Sequence, residues 1–432
     1  METQIKKTVG IRGEYDVLVA GGGTAGVFAA VAAARAGART LLVEKNGLLG
    51  GTMTAGYVNF PGIFNFWDKQ LITGPCWELM EELAAEGGAV LPDNDYTKKH
   101  FRQQIRVDGF QLAATLDRVC VLNGVDILLH SMISFAEEAP GGGLIVGVTG
   151  KEGLYALRAR AAVDATGDAN LAGMLGYERV RSKVLQPATL ENRLEGYRIE
   201  DVDKDEVERV FETAIEAGEL EREVFSWKSP YEMLLARRVN MHIPCPGTED
   251  SGSKTAMELE GRRILYTILK LFRQIRGCGN IRVKVYAAEC GIRESCRIVG
   301  EKTMTADKYL SGYVYDDAVS YCFYPIDLHK LDGGGVYIVY LEKGVMPTIP
   351  YGALIPRGSR YLLVAGRTVS SDTETNSAVR VQAACMSMGQ VAGTAAALAA
   401  REKTCVGQVD YHRLIQALEA LGATVPEKNI AQ

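Results

Sequence analysis

The sequence predicts an α/β protein: a three-layer domain around a parallel central sheet, interrupted by an inserted α+β domain. Three observations carry this. The chain opens as an apolar run, a glycine turn, an alanine-rich run and a second apolar run, the pattern of a β-α-β unit. Between residues 186 and 350 the texture changes to charge-rich and amphipathic segments. From about 351 the strand, glycine and small-residue helix pattern returns. Residues 1–185 and 351–432 therefore form one discontinuous domain, and 186–350 a second.

The elements follow in order. Residues 15–20 (YDVLVA) form a short buried strand, 25–36 an alanine-rich helix packed on a sheet, and 38–43 (ARTLLV) the second strand. Residues 67–86 and 110–123 read as amphipathic helices, and 125–129 as a strand. Runs 144–148 and 154–159 flank Gly150-Lys151-Glu152-Gly153, a hairpin turn, and 161–165 is a buried strand entering Thr166-Gly167-Asp168. In the second domain, 191–223 is crowded with charge and reads as a solvated helical face, followed by a basic amphipathic helix over 254–276. Residues 282–287 and 336–341 are strand-like. Residues 361–365 form a strand before a glycine and a last long small-residue helix, and no internal repeat is found.

Composition excludes several classes. The formal net charge of -5 argues against a general nucleic-acid binder. The nine cysteines are odd in number and contain no C-x-x-C pair, which fits reduced thiols rather than a disulfide framework or a zinc site, and no metal is expected. Two stretches without charge, 17–34 and 381–400, are mostly Ala and Gly and have no aromatic belt, so they read as buried segments rather than membrane spans. Residues 1–13 have no signal-peptide core, and a cytoplasmic location is expected. Glycine is in excess, 47 of 432 residues, against a usual ~7%. Many backbone positions must therefore be closely approached or tightly turned.

The glycines have a focus. Gly21-Gly22-Gly23-Thr24-Ala25-Gly26 fits G-x-G-x-x-G after a strand and before a helix, and Glu44 ends the next strand 18 residues beyond Gly26. Gly21 permits the turn, Gly23 lets a diphosphate touch backbone, and Gly26 packs helix to sheet. Free amides and the helix dipole then face the diphosphate, and Glu44 would accept from ribose hydroxyls. After Glu44 the chain runs Lys45-Asn46-Gly47-Leu48-Leu49-Gly50-Gly51-Thr52 rather than entering a helix. Such a loop suits FAD better than NAD, because it lies along phosphates and a flavin ring where side chains would collide. Asp164-Ala165-Thr166-Gly167-Asp168 and Ala365-Gly366-Arg367 suit an extended cofactor touching both ends of the chain.

The segments GGGTAGVFAAVAAARAGARTLLVEKNGLLGGT, VDATGDANLAG, RESCRIVGE, YPIDLH and LLVAGRTVSSD...AVRVQAACMSMGQVAGTAAAL together resemble FAD-dependent oxidoreductases of the glutathione-reductase-type superfamily. The branch is similar, more distantly, to the fumarate reductase and succinate dehydrogenase flavoproteins. The resemblance implies a Rossmann-like FAD-binding domain with an inserted substrate or cap domain. It places the diphosphate at Gly21, Gly23, Thr24, Ala25 and Gly26, the ribose at Glu44 beside Lys45, and Gly50, Gly51 and Thr52 beside diphosphate and flavin. Thr166, Gly167, Asp168, Gly366 and Arg367 would close the groove. The start of the last helix, at Ser377, Ala378, Val379 and Arg380, would aim amides at the flavin and raise its electron affinity. Fumarate reductase relatives often join flavin to a histidine after the Gly-Gly pair. Here that region reads Thr52-Met53-Thr54, so non-covalent FAD is expected.

The implied activity is hydride transfer between FAD and a small polar substrate, with an unknown electron acceptor or donor and neither nucleic acid nor membrane as partner. The competing readings are an NAD(P)H-fed flavin reductase or monooxygenase, disfavoured by the single dinucleotide fingerprint, and a flavoprotein that modifies or binds RNA, disfavoured by the acidic charge. Of the five histidines, His100, His130, His242, His329 and His412, only His329 lies in a branch motif. Strand alternation puts Asp327 and His329 on one face with Tyr324 opposite. His329 is then a base beside a carboxylate, or a structural histidine capping a loop. Arg293 and Arg297, four apart, would share a helix face and clamp a carboxylate or phosphate, or else pair with Glu289, Glu294 or Glu301.

Overall fold

Five parallel strands end at one edge of the main sheet, and that alignment builds everything that follows. The computed structural model describes residues 8–67, 69–92, 104–225, 228–330 and 335–427. Strands Asp126–Leu128, Thr40–Val43, Ile11–Ala20 and Gly153–Asp164 lie side by side, and Leu362–Val364 pairs with the end of the last. Val17, Leu18, Val19 and Ala20 are fully buried, as central parallel strands covered on both faces must be. In the register Ala20 stands beside Val43 and Asp164, and Asp164 beside Val364. The loops leaving these four residues therefore converge, the usual place for a ligand on such a sheet.

The expected strands at 154–159 and 161–165 are one strand, Gly153–Asp164. Its first half pairs antiparallel with Leu144–Gly150, while its other edge pairs with the first strand from Arg158 to Asp164 across the expected gap, so the ladder runs through residue 160. Leu144–Gly150 pairs in turn with Met132–Glu138, completing an antiparallel meander. The helix expected over 67–86 is shorter. Gly74 and Pro75 start it at Pro75–Ala85, and Asn65–Phe66 pairs with Lys69–Gln70 instead.

The fingerprint helix Thr24–Arg35 lies under the sheet against the long helix Gln382–Glu402. Their approach depends on two glycines: a Cβ on Gly389 would stand 2.1 Å from the Ala25 carbonyl oxygen, and one on Gly393 2.0 Å from that of Ala29. The long helix is apolar enough to cross a membrane by length and composition, and its apolar window is entirely buried within the protein. A further helix, Tyr411–Ala420, follows it.

The charge-rich segment differs from its expectation. Residues 191–195 belong to the strand Ala188–Glu195, and the helix is Lys204–Glu216, N-capped by Asp203. Ala188–Glu195 is the middle strand between Arg238–Ile243 and Arg282–Tyr286. The sheet's apolar face (Leu190, Leu194, Val239, Met241, Ile243) packs with Ser251–Gln274 and Lys204–Glu216 in a second core. The opposite face carries Glu191, Arg193, Arg238 and His242, by the period of two along each strand. Residues 186–350 divide between the cores: the second core ends at Cys290, and Cys296, Ile298, Tyr309 and Phe323 pack in the first.

Candidate functional site

The first loop turns sharply at Gly21, whose φ of +97° is open to glycine and strained for other residues. Its amide donates to the Val43 carbonyl at 2.7 Å. A Cβ on Gly26 would lie 1.8 Å from the Gly21 oxygen, so the helix starts flush against the turn. Gly23 is different. Its backbone is ordinary (φ -78°, ψ -165°), and a Cβ there would meet nothing nearer than the Gly51 Cα at 3.9 Å. It is the helix N-cap and supplies no capping side chain, so the amides of Thr24, Ala25 and Gly26 point out without an intrahelical acceptor.

The second loop closes over the first. Gly50 donates to the Gly22 carbonyl at 2.8 Å, and a Cβ on Gly51 would stand 2.9 Å from the Gly23 Cα. Thr52 follows in the turn Gly51–Met53. Glu44 is buried and accepts from the Gly22 amide at 2.7 Å and the Asn46 amide at 2.8 Å. Burial raises its pKa in spite of those two bonds. It thus ties the fingerprint turn to the end of the second strand, with one lone pair left on each oxygen. Lys45 reaches out to Glu289 at 2.5 Å, next to the strand Arg282–Tyr286.

The third and fourth loops meet at Asp168. Asp164, fully buried, accepts from the Thr166 hydroxyl at 2.6 Å and the Ala172 amide at 2.9 Å, which fixes the turn. Gly167 lies beneath the Arg367 guanidinium, 2.9 Å from where its Cβ would be, and Gly366 faces Ala25. Asp168 receives Ser295 Oγ at 2.8 Å, Arg367 at 3.1 Å and Lys254 of the helix Ser251–Gln274. Burial would raise its pKa, and the two cations outweigh that and hold it below the usual carboxylate range.

The last-helix expectation needs correction. Ser377, Ala378, Val379 and Arg380 end a separate short helix, Thr373–Val379, capped by Arg380. The long helix begins only at Gln382, and its Ala383 amide already donates to the Pro61 carbonyl at 2.7 Å. Ser377 Oγ accepts from the Asp327 amide at 2.9 Å, and Ala378 and Val379 are fully buried. A helix N-terminus aimed from those four residues is therefore not formed.

A second cluster lies beyond this break. Strand Ile326–His329 pairs with Val336–Val339, and Asp327 Oδ2 stands 3.4 Å from His329 Nε2, on one face as alternation requires. Tyr324 precedes the strand, and burial raises its phenol to about 12. His329 Nδ1 faces His242 Nε2 at 2.8 Å, across from the inserted sheet. Both rings are buried. Burial, followed by the Arg293 charge, lowers His329 to about 4 and His242 to about 3. Asp327 is held below its ordinary range: burial opposes this, and His329, Arg380 and Arg293 outweigh it.

The helix expected across Arg293 and Arg297 is absent: residues 292–296 are irregular, with bends at Arg293 and Ser295, and Arg297–Ile298 is a strand. The bent, non-helical backbone turns the two arginines to different partners. Arg297 is buried and donates to the Ser371 carbonyl at 3.0 Å and Ser182 Oγ at 3.1 Å, with Glu294 at 3.6 Å. Arg293 alone joins the histidine cluster, donating to the Pro187 carbonyl at 2.5 Å.

Residues 16–418 match the model of the family described as FAD dependent oxidoreductase. The chain belongs to this family. It is a flavoenzyme, and FAD is its cofactor. The thiamine thiazole synthase of Aeropyrum pernix is 32% identical over 163 residues, 35% of this chain and 54% of that protein, so the chain spans about half the length of that relative. A geranylgeranyl bacteriochlorophyll reductase-like protein from Thermoplasma acidophilum is 14% identical, covering 94% of this chain and 83% of its own, with a TM-score of 0.43. THI4 of Thermovibrio ammonificans is 22% identical over 37% of this chain and 61% of its own, with a TM-score of 0.27.

The residues present fit FAD. The open space before Gly23, the uncapped helix start and a buried Arg367 Nε without a protein partner supply donors where a diphosphate would need them. Two residues at the second cluster escaped sequence reasoning. His242 had a signal: R-V-N-M-H-I alternates strictly, which marks one polar face. Gln186, which accepts from the His329 amide at 3.2 Å, had none, because it lies between elements. His100 lies outside the described residues.

Proposed function

We propose that the protein moves a hydride between a small polar substrate and non-covalently held FAD, with the linked His242–His329 pair, backed by Asp327, handling the substrate's proton. FAD supplies the hydride acceptor or donor. The single observation that carries the reading is the buried chain Asp327, His329, His242. Asp327 is ionised, so His329 keeps a hydrogen on Nε2 toward it and leaves Nδ1 to accept from His242. Both rings are neutral near pH 7, the state in which an imidazole can take a proton. One added proton is shared across the pair with Asp327 as counter-charge. A second would place two cations at the 2.8 Å separation of the facing nitrogens. The chain thus holds one proton per hydride moved. Thr52-Met53-Thr54 supports non-covalent attachment, since no histidine follows the glycine pair.

The test is anaerobic bleaching of the flavin by a panel of polyols, hydroxy acids and amines. His329→Ala should slow bleaching by roughly 10²–10⁴-fold while FAD stays bound. An unchanged rate removes His329 from the chemistry, and bleaching by NAD(P)H alone defeats the substrate-dehydrogenating reading.

A further inference from the structure

Buried donors without a hydrogen-bond partner among the described residues gather near His329. Among the described residues Arg380 Nε and Gln186 Nε2 are buried without a hydrogen-bond partner, and Arg193 NH1 has only an ion-pair approach of 3.7 Å to Glu191. Gln186 is fixed in orientation, because its Oε1 accepts from the His329 amide at 3.2 Å and from Arg380 at 3.2 Å. Its amide nitrogen is therefore the end left over. Arg293 has a neutral carbonyl as its hydrogen-bond partner and no ion-pair partner among the described residues. Arg380 reaches the Asp327 carbonyl at 3.0 Å and its carboxylate only at 3.9 Å.

Charge points the same way. Arg193, Arg238, Arg293 and Arg380 stand around two carboxylates, Glu191 and Asp327, and Glu191 is already held by Arg238 through two bonds. Burial, followed by the neighbouring Arg380 charge, pushes the Arg293 pKa down to about 9, with Asp327 and Glu191 opposing it only in part. Buried donors and excess positive charge are expensive unless an acceptor anion completes them. A planar carboxylate matches guanidinium forks with two oxygens at once.

We infer that the substrate is a small carboxylate, held by Arg293, Arg380 and the Gln186 amide so that the carbon beside its carboxylate lies next to His329. This rests on the oxidoreductase reading above and names the substrate class. It also replaces the Arg293–Arg297 clamp with Arg293 and Arg380, contributed from distant parts of the chain.

The test is calorimetric titration of the FAD-loaded protein with malonate, malonamide and inorganic phosphate. Malonate should bind saturably, and malonamide and phosphate should each bind at least about 10-fold more weakly. Gln186→Glu keeps the oxygen that His329 and Arg380 use and exchanges the unpaired donor for a second acceptor. It should weaken malonate by roughly 10- to 100-fold with FAD retained. Arg293→Gln should do the same, and retained FAD absorbance identifies a folded variant. Equal binding of malonamide, preference for phosphate, or unchanged malonate binding in Gln186→Glu overturns the inference. Malonate binding involves no turnover, so it can fail while His329→Ala still slows bleaching, and the reverse result is equally readable.

Discussion

Gly23→Ala separates the two reasons a glycine stands in a turn. At Gly23 the backbone angles suit any residue, and the added methyl would have 3.9 Å to its nearest neighbour. Two opposing terms act on the folded apoprotein. Fewer unfolded conformations stabilise it by about 0.4–1 kcal/mol. Loss of glycine at an N-cap costs a comparable amount, roughly 0.5–1 kcal/mol. The net change in apoprotein stability is then within about 1 kcal/mol. FAD binding responds differently, because the methyl occupies the space through which a diphosphate reaches the amides of Thr24 and Ala25. Losing one charge-assisted hydrogen bond costs about 1.5–3 kcal/mol, or roughly 10- to 150-fold in Kd. Gly26→Ala is the control. Its methyl would stand 1.8 Å from a carbonyl oxygen, in a turn held by the Gly21–Val43 and Gly50–Gly22 bonds, so the apoprotein itself should lose about 3 kcal/mol or more. Thermal melts of apoprotein and titration of flavin fluorescence measure both quantities. If Gly23→Ala binds FAD as tightly as the parent chain, the diphosphate does not lie on this face and the groove has been misassigned.

Other perturbations probe the rest of the site. Asp168→Asn should destabilise the protein by about 3 kcal/mol, because Lys254 and Arg367 lose their shared counter-charge; a change in denaturation midpoint worth under 1 kcal/mol would show the web is incidental. The histidine pair sets a pH dependence. Its folded pKa values, about 4 and about 3, lie below the ordinary 6.5, so the unfolded chain takes up protons first as pH falls. Its contribution is complete above about 6.5 and is lost as pH drops toward 4. Urea midpoints at pH 7.5 and 5 should therefore diverge less in His242→Gln than in the parent, and equal divergence would contradict the buried, neutral pair. Acid precipitation should strip all flavin from the polypeptide; colour left in the pellet means a covalent bond.

The strand, turn and helix around the fingerprint were legible because their logic is local. Gly21 to Gly26 and Glu44 read correctly as a strand-turn-helix unit, since turn chemistry and apolar period lie within a short stretch. Glu44 showed a further duty that sequence could not display: both oxygens hold backbone amides across strand ends. The second cluster is assembled from far-apart segments, and there the reading failed in specific ways. Arg293 and Arg297 were placed on a helix by their spacing, which bent, non-helical backbone does not honour. Glu191 and Arg193 were counted with a solvated helix because they are charged. Their neighbours Leu190 and Leu194 carry the strand period instead, and Arg238 neutralises Glu191 in the interior. The break at Arg380 left no mark in composition, because the residues on both sides are equally small and buried.

Asp168 is satisfied from both bodies of the protein at once, by Arg367 beside the groove and by Lys254 on the inserted helix. One carboxylate therefore ties the packing of the helix Ser251–Gln274 to the order of the loops at Gly167 and Arg367. Linkage makes such an arrangement reciprocal: whatever free energy bound FAD lends to that helix packing, the packed helix returns to FAD affinity. Lys254→Met should therefore weaken flavin retention, and an unchanged FAD affinity in titration would show that the two are not coupled.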